Sequence, residues 1–378
     1  MEQLIDNKRI LICCGSGGVG KTTAAAAIGV KAAQLGKNVL VITIDPAKRL
    51  ANALGLTALG NEPQLVSLGE IATPPPRAEG HLYAMMLDTK RTFDELVERY
   101  APNEAIRVQI FNNSFYQHVS NSLAGSKEFM AMEQLHFIST HHPFDLIILD
   151  TPPTQHALDF LEAPHRMISL LEGSLLDWLV KPYLVMGRIG LGMFRRTSTK
   201  LLKFLEGMTG YELLRDLSDF FLAFAGLFKG FKDRSQRILT LLRSPLTSVV
   251  LVCTPDSGSL SEVGLFSSRL EEEGLKIDGL IVNRVHRGAA SHHLLALPDH
   301  VATQLKLGPD DNVDHRSLAD RVWRTYQDHL ALVEHDHQAI AWTASRFSVP
   351  IWEVPHFQRD LHSLLDLAEF ANTVSRRG

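Results

Sequence analysis

Cys14-Gly15-Ser16-Gly17-Gly18-Val19-Gly20-Lys21-Thr22-Thr23 is the stretch on which the reading of the chain turns. An apolar run, Arg9 to Cys13, precedes it and reads as a buried strand; an alanine-rich run, Ala24 to Leu35, follows it and reads as a helix. Gly15, Gly20, Lys21 and Thr22 satisfy G-x-x-x-x-G-K-[ST], and strand–loop–helix is the setting in which that pattern cradles phosphate. The chemistry accounts for the residue types. Glycines let successive backbone N–H groups turn inward at a helix N-terminus and form an anion cradle. Lys21 brings a point charge to the β- and γ-phosphates, and the Thr22 hydroxyl is placed to ligate Mg²⁺.

Composition bounds the remainder. The chain has 378 residues, 45 % of them hydrophobic, which is ample for a large core. Its 38 Lys and Arg against 42 Asp and Glu leave a net charge of −4, so there is no global basic footprint and no nucleic-acid partner is expected. Three cysteines, Cys13, Cys14 and Cys253, offer no disulfide framework and no C-x-x-C pair, so no zinc is predicted. Cys13 and Cys14 read as buried, inert thiols. The N-terminus lacks a charged-then-apolar signal pattern, and no apolar run approaches the ~20 residues that span a bilayer. A soluble, cytoplasmic protein is the expectation.

Strand-like runs alternate with helical ones, which predicts an α/β fold with a mostly parallel sheet flanked by helices. The apolar runs are Ile10–Cys14, Val39–Ile44, Leu82–Leu87, Leu146–Leu149, Val249–Cys253, Leu280–Val282 and Ile351–Val354. Asp45, Asp88 and Asp150 each close such a run, at the sheet edge where ligands bind in open α/β folds. Alone, Asp45-Pro46 is a strand-end turn; beside a phosphate loop, its carboxylate is suited to orienting an attacking water. An apolar strand ending in Asp150 is the Walker B pattern, whose carboxylate holds Mg²⁺ directly or through water. Thr151 to His156, rich in proline and polar groups, suits a loop that senses the γ-phosphate.

Gly15–Thr23, Asp45-Pro46-Ala47 and Asp150-Thr151-Pro152-Pro153-Thr154-Gln155-His156 together resemble the ArsA and guided-entry ATPases. That family comprises arsenite-pump ATPases and targeting factors for tail-anchored membrane proteins. The resemblance implies a P-loop NTPase fold, ATP with Mg²⁺, and nucleotide held at a dimer interface. It implies that Gly15 through Thr23 bind nucleotide, that Asp45 is catalytic with Lys21, and that Thr22, Asp45 and Asp150 serve the metal. Thr151, Pro152, Pro153, Thr154, Gln155 and His156 match switch II. Asn283 matches the adenine-binding position, and the Val354-Pro355 region matches the loop closing over the base. The chain departs from the family's pattern at Ser16, where the family has a signature lysine that crosses to the partner's phosphates. It departs again at Lys48, where the family typically has His. A solvated loop cation is the plainer reading of Lys48 and Arg49. The zinc-clasp C-x-x-C and the metalloid-binding cysteines also have no counterparts.

Between the fourth and fifth strands, apolar residues recur at three- and four-residue spacing among Lys and Arg, an amphipathic helical pattern. Met186, Met193, Phe194, Phe204, Met208, Phe220, Phe221, Phe224 and Phe228 fit either an ordinary helical subdomain or, as the family implies, a groove for a client's hydrophobic helix. Thr92 to Leu135 also reads helical, Gly60 to Gly80 as a surface connection, and Leu361 to Val374 as a closing helix. His286, His292, His293, His300, His315, His329, His335 and His337 show no metal-ligand spacing and read as solvated helix positions. The organisation expected is a core over 1–164, a helical insertion over 165–245 and the rest of the core over 246–378. The expected function is a dimeric targeting or chaperone ATPase, a homodimer or a heterodimer with a related subunit, acting on a hydrophobic helix or membrane-protein client. The alternative is a low-activity subunit of a hetero-oligomer whose partner supplies the missing lysine; an arsenite-pump subunit fits less well, for want of thiolates.

Overall fold

Every apolar run read as a strand is one. The computed structural model describes residues 1–44, 49–69, 80–114, 116–117, 126–153, 159, 161–166, 168–169, 230–288 and 315–376. Its strands are β1 (Ile10–Gly15), β2 (Asn38–Thr43), β3 (Gln64–Val66), β4 (His81–Met86), β5 (Leu146–Asp150), β6 (Thr247–Cys253), β7 (Ile277–Val285), β8 (Ile351–Pro355) and β9 (Ser375–Arg376). They form a single sheet in the order β3-β4-β2-β5-β1-β6-β7-β8-β9. All pairs are parallel except the two at the edges, β3 with β4 and β8 with β9. The strand carrying the phosphate loop thus lies at the centre, between β5 and β6. Both faces of β1, β5 and β6 are buried, as continuous apolar runs in a helix-covered parallel sheet should be. The stretch 60–80 was expected to be plain surface connection. It holds β3, a three-residue edge strand too short to show alternation in sequence.

Helices cover both faces. On one lie α1 (Glu2–Asn7), α2 (Lys21–Gln34) and α3 (Arg49–Ala53). On the other lie α4 (Thr89–Tyr100), α5 (Glu104–Phe111), α6 (Ser126–His141), α7 (residues 230–242) and α8 (Ser257–Glu272). After β7 come α9 (His315–Arg346) and then α10 (Leu364–Thr373), which packs against α2. The alanine run explains how closely α2 lies on the sheet. Ala24 to Ala27 are at most 1 % exposed, and a methyl at Gly29 would stand 2.7 Å from Val41 Cγ2. This is the α/β architecture of a P-loop NTPase.

The expected first and last parts of the core contribute strands to the same sheet. Of the 165–245 insertion, α7 is described and buries Phe231, Ile238 and Leu242 in the core. It is tied to α6 by a buried ion pair in which the Arg234 guanidinium donates to Glu133. The candidate groove residues, Met186 to Phe228, lie outside the described residues. Among the described residues, no helix is long and apolar enough to cross a membrane.

Candidate active site

The loop after β1 closes at Gly20, the N-cap of α2, where φ is 98° and ψ is 26°. A side chain there would be strained by the left-handed backbone, and its Cβ would stand 2.3 Å from Asn283 Nδ2. Lys21 is buried, and its ammonium donates to the Ser16 carbonyl at 2.7 Å, so the side chain folds back over the loop. The Ser16 hydroxyl donates to Glu262 on α8.

Strand order brings the two phosphate-site motifs together. Asp150 is the register partner of Cys13 on one side and of Thr43 on the other. Its Oδ2 accepts from the Thr22 hydroxyl at 2.7 Å and from the Thr43 hydroxyl at 3.0 Å, with the residue 1 % exposed. The next residue, Thr151, donates its hydroxyl to the Cys13 carbonyl at 2.8 Å, which fixes how the chain leaves β5. These are oxygen donors in a tight group, the donor chemistry that Mg²⁺ prefers. The nearby thiols take no part in it. Burial pushes the Cys14 thiol up to about 12, against the pull of the Thr151 hydrogen bond and Lys21. Burial likewise pushes Cys253 up to about 12, and it raises Cys13 too, where Asp150 adds to the effect. Protonated thiols are poor nucleophiles and poor ligands.

A cleft of about 860 Å³ opens over the loop. Gly17, Gly18, Gly20, Lys21, Thr22 and Thr23 line it, together with Thr151 and Pro153. From one side come Arg49 and Asn52 of α3; from the other come Asn283, Arg284, Pro355, His356, Phe357 and Arg359. Asn283 is buried, and its amide donates to the Val19 carbonyl at 2.8 Å while accepting from Arg284 N–H at 2.9 Å. Arg284 has φ of 62°, and the register of β7 against β8 is irregular between Val282 and Val285. Such left-handed backbone costs on the order of 1–3 kcal/mol and persists where its surroundings hold it.

Not every expected residue falls in this cleft. Asp45, Lys48, Thr154, Gln155 and His156 lie outside the described residues. Asp88 was grouped with Asp45 and Asp150 as a strand-end carboxylate, but it is the N-cap of α4 and accepts from Arg91 N–H at 3.0 Å. His286 is not a solvated helix position: it follows β7 and pairs with the buried Asp336. Sequence reasoning missed Arg284, His356, Phe357 and Arg359. The signal available was their proximity to Asn283 and Pro355, which it had singled out. Among the described residues, no three His, Cys, Asp or Glu side chains are grouped as metal ligands would be.

A family model described as anion-transporting ATPase matches residues 8–295. The chain is 26 % identical over 291 residues to the ATPase ARSA2 of Chlamydomonas reinhardtii, covering 75 % of this chain and 70 % of that protein. It is 26 % identical over 291 residues to the ATPase get3 of Schizosaccharomyces japonicus, covering 75 % and 78 %. To the putative arsenical pump-driving ATPase 1 of Aquifex aeolicus it is 26 % identical over 282 residues, covering 73 % of this chain and 63 % of that protein.

Proposed function

This chain belongs to the ArsA family of anion-transporting ATPases and is therefore an ATPase, and from that premise we propose that it is a dimeric targeting or chaperone ATPase that couples nucleotide state to a groove for hydrophobic membrane-protein segments. The observation that carries the nucleotide part is the junction of Thr22, Thr43 and Asp150 beneath the phosphate loop. Cleft length supports a nucleotide over free phosphate. From β1 to β8 is three strand spacings, roughly 14 Å, which a nucleoside triphosphate can bridge.

The roles then follow from the residues. Loop N–H groups hold the phosphates, and Lys21 leaves the Ser16 carbonyl for the β- and γ-oxygens. Thr22 and Asp150 would hold Mg²⁺, which neutralises charge on the β- and γ-phosphates. Asp45 orients the attacking water. Asn283 and Pro355 receive the adenine, on the β7–β8 side of the cleft. The segment from Thr151 to His156 starts at the Asp150 carboxylate and passes the state of the γ-phosphate toward the insertion.

One observation favours the second reading, a low-activity subunit of a hetero-oligomer. Where the family has its signature lysine, this chain has Ser16, held by its own Glu262. It therefore offers no cation to a partner's phosphates from that position. The arsenite-pump reading is the less favoured, because the chain's three cysteines, Cys13, Cys14 and Cys253, are all buried.

Coupling is tested by titrating the protein with a fluorescent helical peptide of ~20 apolar residues in ATP–Mg²⁺ and in ADP–Mg²⁺. The proposal expects affinities that differ by about tenfold, about 1.4 kcal/mol. Equal affinity in the two nucleotides would refute it.

A further inference from the structure

We propose that Asp336 on α9 is a positioning residue for the nucleotide base, acting through His286 to hold His356 against it. This deepens the nucleotide reading above and rests on it.

Asp336 is 3 % exposed and sits on a helix beyond the stretch, 8–295, that matches the family. Its Oδ2 receives two hydrogen bonds from one residue, from the His286 backbone N–H and from His286 Nδ1–H, both at 2.8 Å. A carboxylate at that nitrogen places the ring proton on Nδ1 and fixes the plane of the imidazole. The His286 ring then stacks on His356, with centroids 5.2 Å apart and planes 18° apart. On another side it meets His329 edge-on at 5.9 Å, and His329 is itself held at the Arg287 carbonyl at 3.0 Å. His356 is anchored by its own N–H to the Val285 carbonyl at 2.9 Å, and it lines the cleft between Pro355 and Phe357. The series therefore runs from a buried carboxylate, through a fixed ring, to an exposed ring on the cleft wall.

The end of β7 is tied at both sides of its left-handed residue. Asn283 binds the Val19 carbonyl of the phosphate loop, and His286 binds Asp336 of α9. The two ties fix the β7–β8 side of the cleft relative to the phosphates. A hydrogen-bonded pair serving stability alone would have no need of a stacked ring reaching into the cleft. A flat heteroaromatic base is the ligand that such a ring recognises, through stacking that tolerates many bases.

The experiment compares two ligands, ATP and inorganic triphosphate, titrated into the full-length protein with Mg²⁺. His356→Ala is expected to weaken ATP by about tenfold and Asp336→Asn by about fivefold, in the lower part of the range for one base–aromatic stack. Triphosphate affinity should stay within about twofold in both, since phosphate contacts are untouched. The double variant should be no weaker than His356→Ala, because Asp336 acts through that ring. Should Asp336→Asn not fold, His286→Ala, which leaves the backbone bond to Asp336 in place, is read against the same ligands. Equal weakening of ATP and triphosphate would reduce Asp336 to a structural role and overturn the proposal, as would unchanged ATP affinity. A wild-type protein that binds neither ligand would instead overturn the nucleotide reading itself.

Discussion

Alanine substitutions along the phosphate loop separate backbone strain from steric conflict. Gly17 has no positive φ, and a Cβ there would meet nothing within 4 Å; Gly17→Ala should change stability by no more than ~0.5 kcal/mol. Gly18 has φ of 78° with open space around it, so Gly18→Ala carries strain alone, about 1–2 kcal/mol. Gly20 combines φ of 98° with a Cβ 2.3 Å from Asn283 Nδ2. That amide must move, which breaks its bond to the Val19 carbonyl inside the protein and adds about 1–3 kcal/mol. Gly20→Ala should therefore cost about 3 kcal/mol in urea unfolding of the nucleotide-free protein at fixed concentration. Replacing Asn283 as well removes the conflict, so Gly20→Ala with Asn283→Ala should be less destabilised than the sum of the two, by about 1–2 kcal/mol. The reasoning fails if Gly20→Ala costs no more than Gly18→Ala, or if the two substitutions simply add.

Other perturbations probe the core, a helix cap and the metal donors. Arg234→Met strands Glu133 and should cost about 3–5 kcal/mol, with much of the loss recovered when Glu133 is replaced by Leu in the same protein. Burial raises the Glu133 carboxyl, with Arg234 pulling it back. A raised carboxylate stabilises the fold below its unfolded value and loses that contribution as pH rises through the folded value, so thermal melts should show Arg234→Met more stable at pH 5 than at pH 8. At α10, burial would raise Asp366, but the Ser363 hydroxyl, the N–H groups of His362 and Ser363, and Arg359 hold it below the usual carboxylate range. Its contribution is complete above the ordinary ~3.9 and is lost as pH falls through the lower folded value. The deficit of Asp366→Asn should thus persist at pH 6 in urea titrations and close under acid conditions. Asp150→Asn leaves both threonine hydroxyls an acceptor, so the fold should stay within about 2 kcal/mol of wild type. Equilibrium dialysis should nonetheless find that Mg²⁺ no longer improves ATP binding.

How much of this was legible in the sequence depended on the range of the interaction. The phosphate loop and the central strands were readable because their signals are local: a fixed glycine spacing, and apolar runs buried on both faces. The edge strands β3 and β9 were not, since pairing with β4 and β8 defines them and two or three residues carry no pattern. Asp150 could be nominated because it ends an apolar run, yet Asp88 ends one too and only caps a helix. What separates them is strand order, which places β5 beside β1 and β4 one strand farther out than β2. His286 was misread for the same reason. Its partner Asp336 is fifty residues away on α9, and no spacing within either segment announces the pair.

The most direct test of the central claim is ATP turnover by the purified protein over a range of its own concentration, with and without Mg²⁺, beside Lys21→Ala. A nucleotide site built on the loop, Asp150 and a dimer predicts Mg²⁺-dependent turnover per subunit that rises with concentration and disappears in Lys21→Ala. Turnover that is indifferent to Mg²⁺ and survives Lys21→Ala would contradict it.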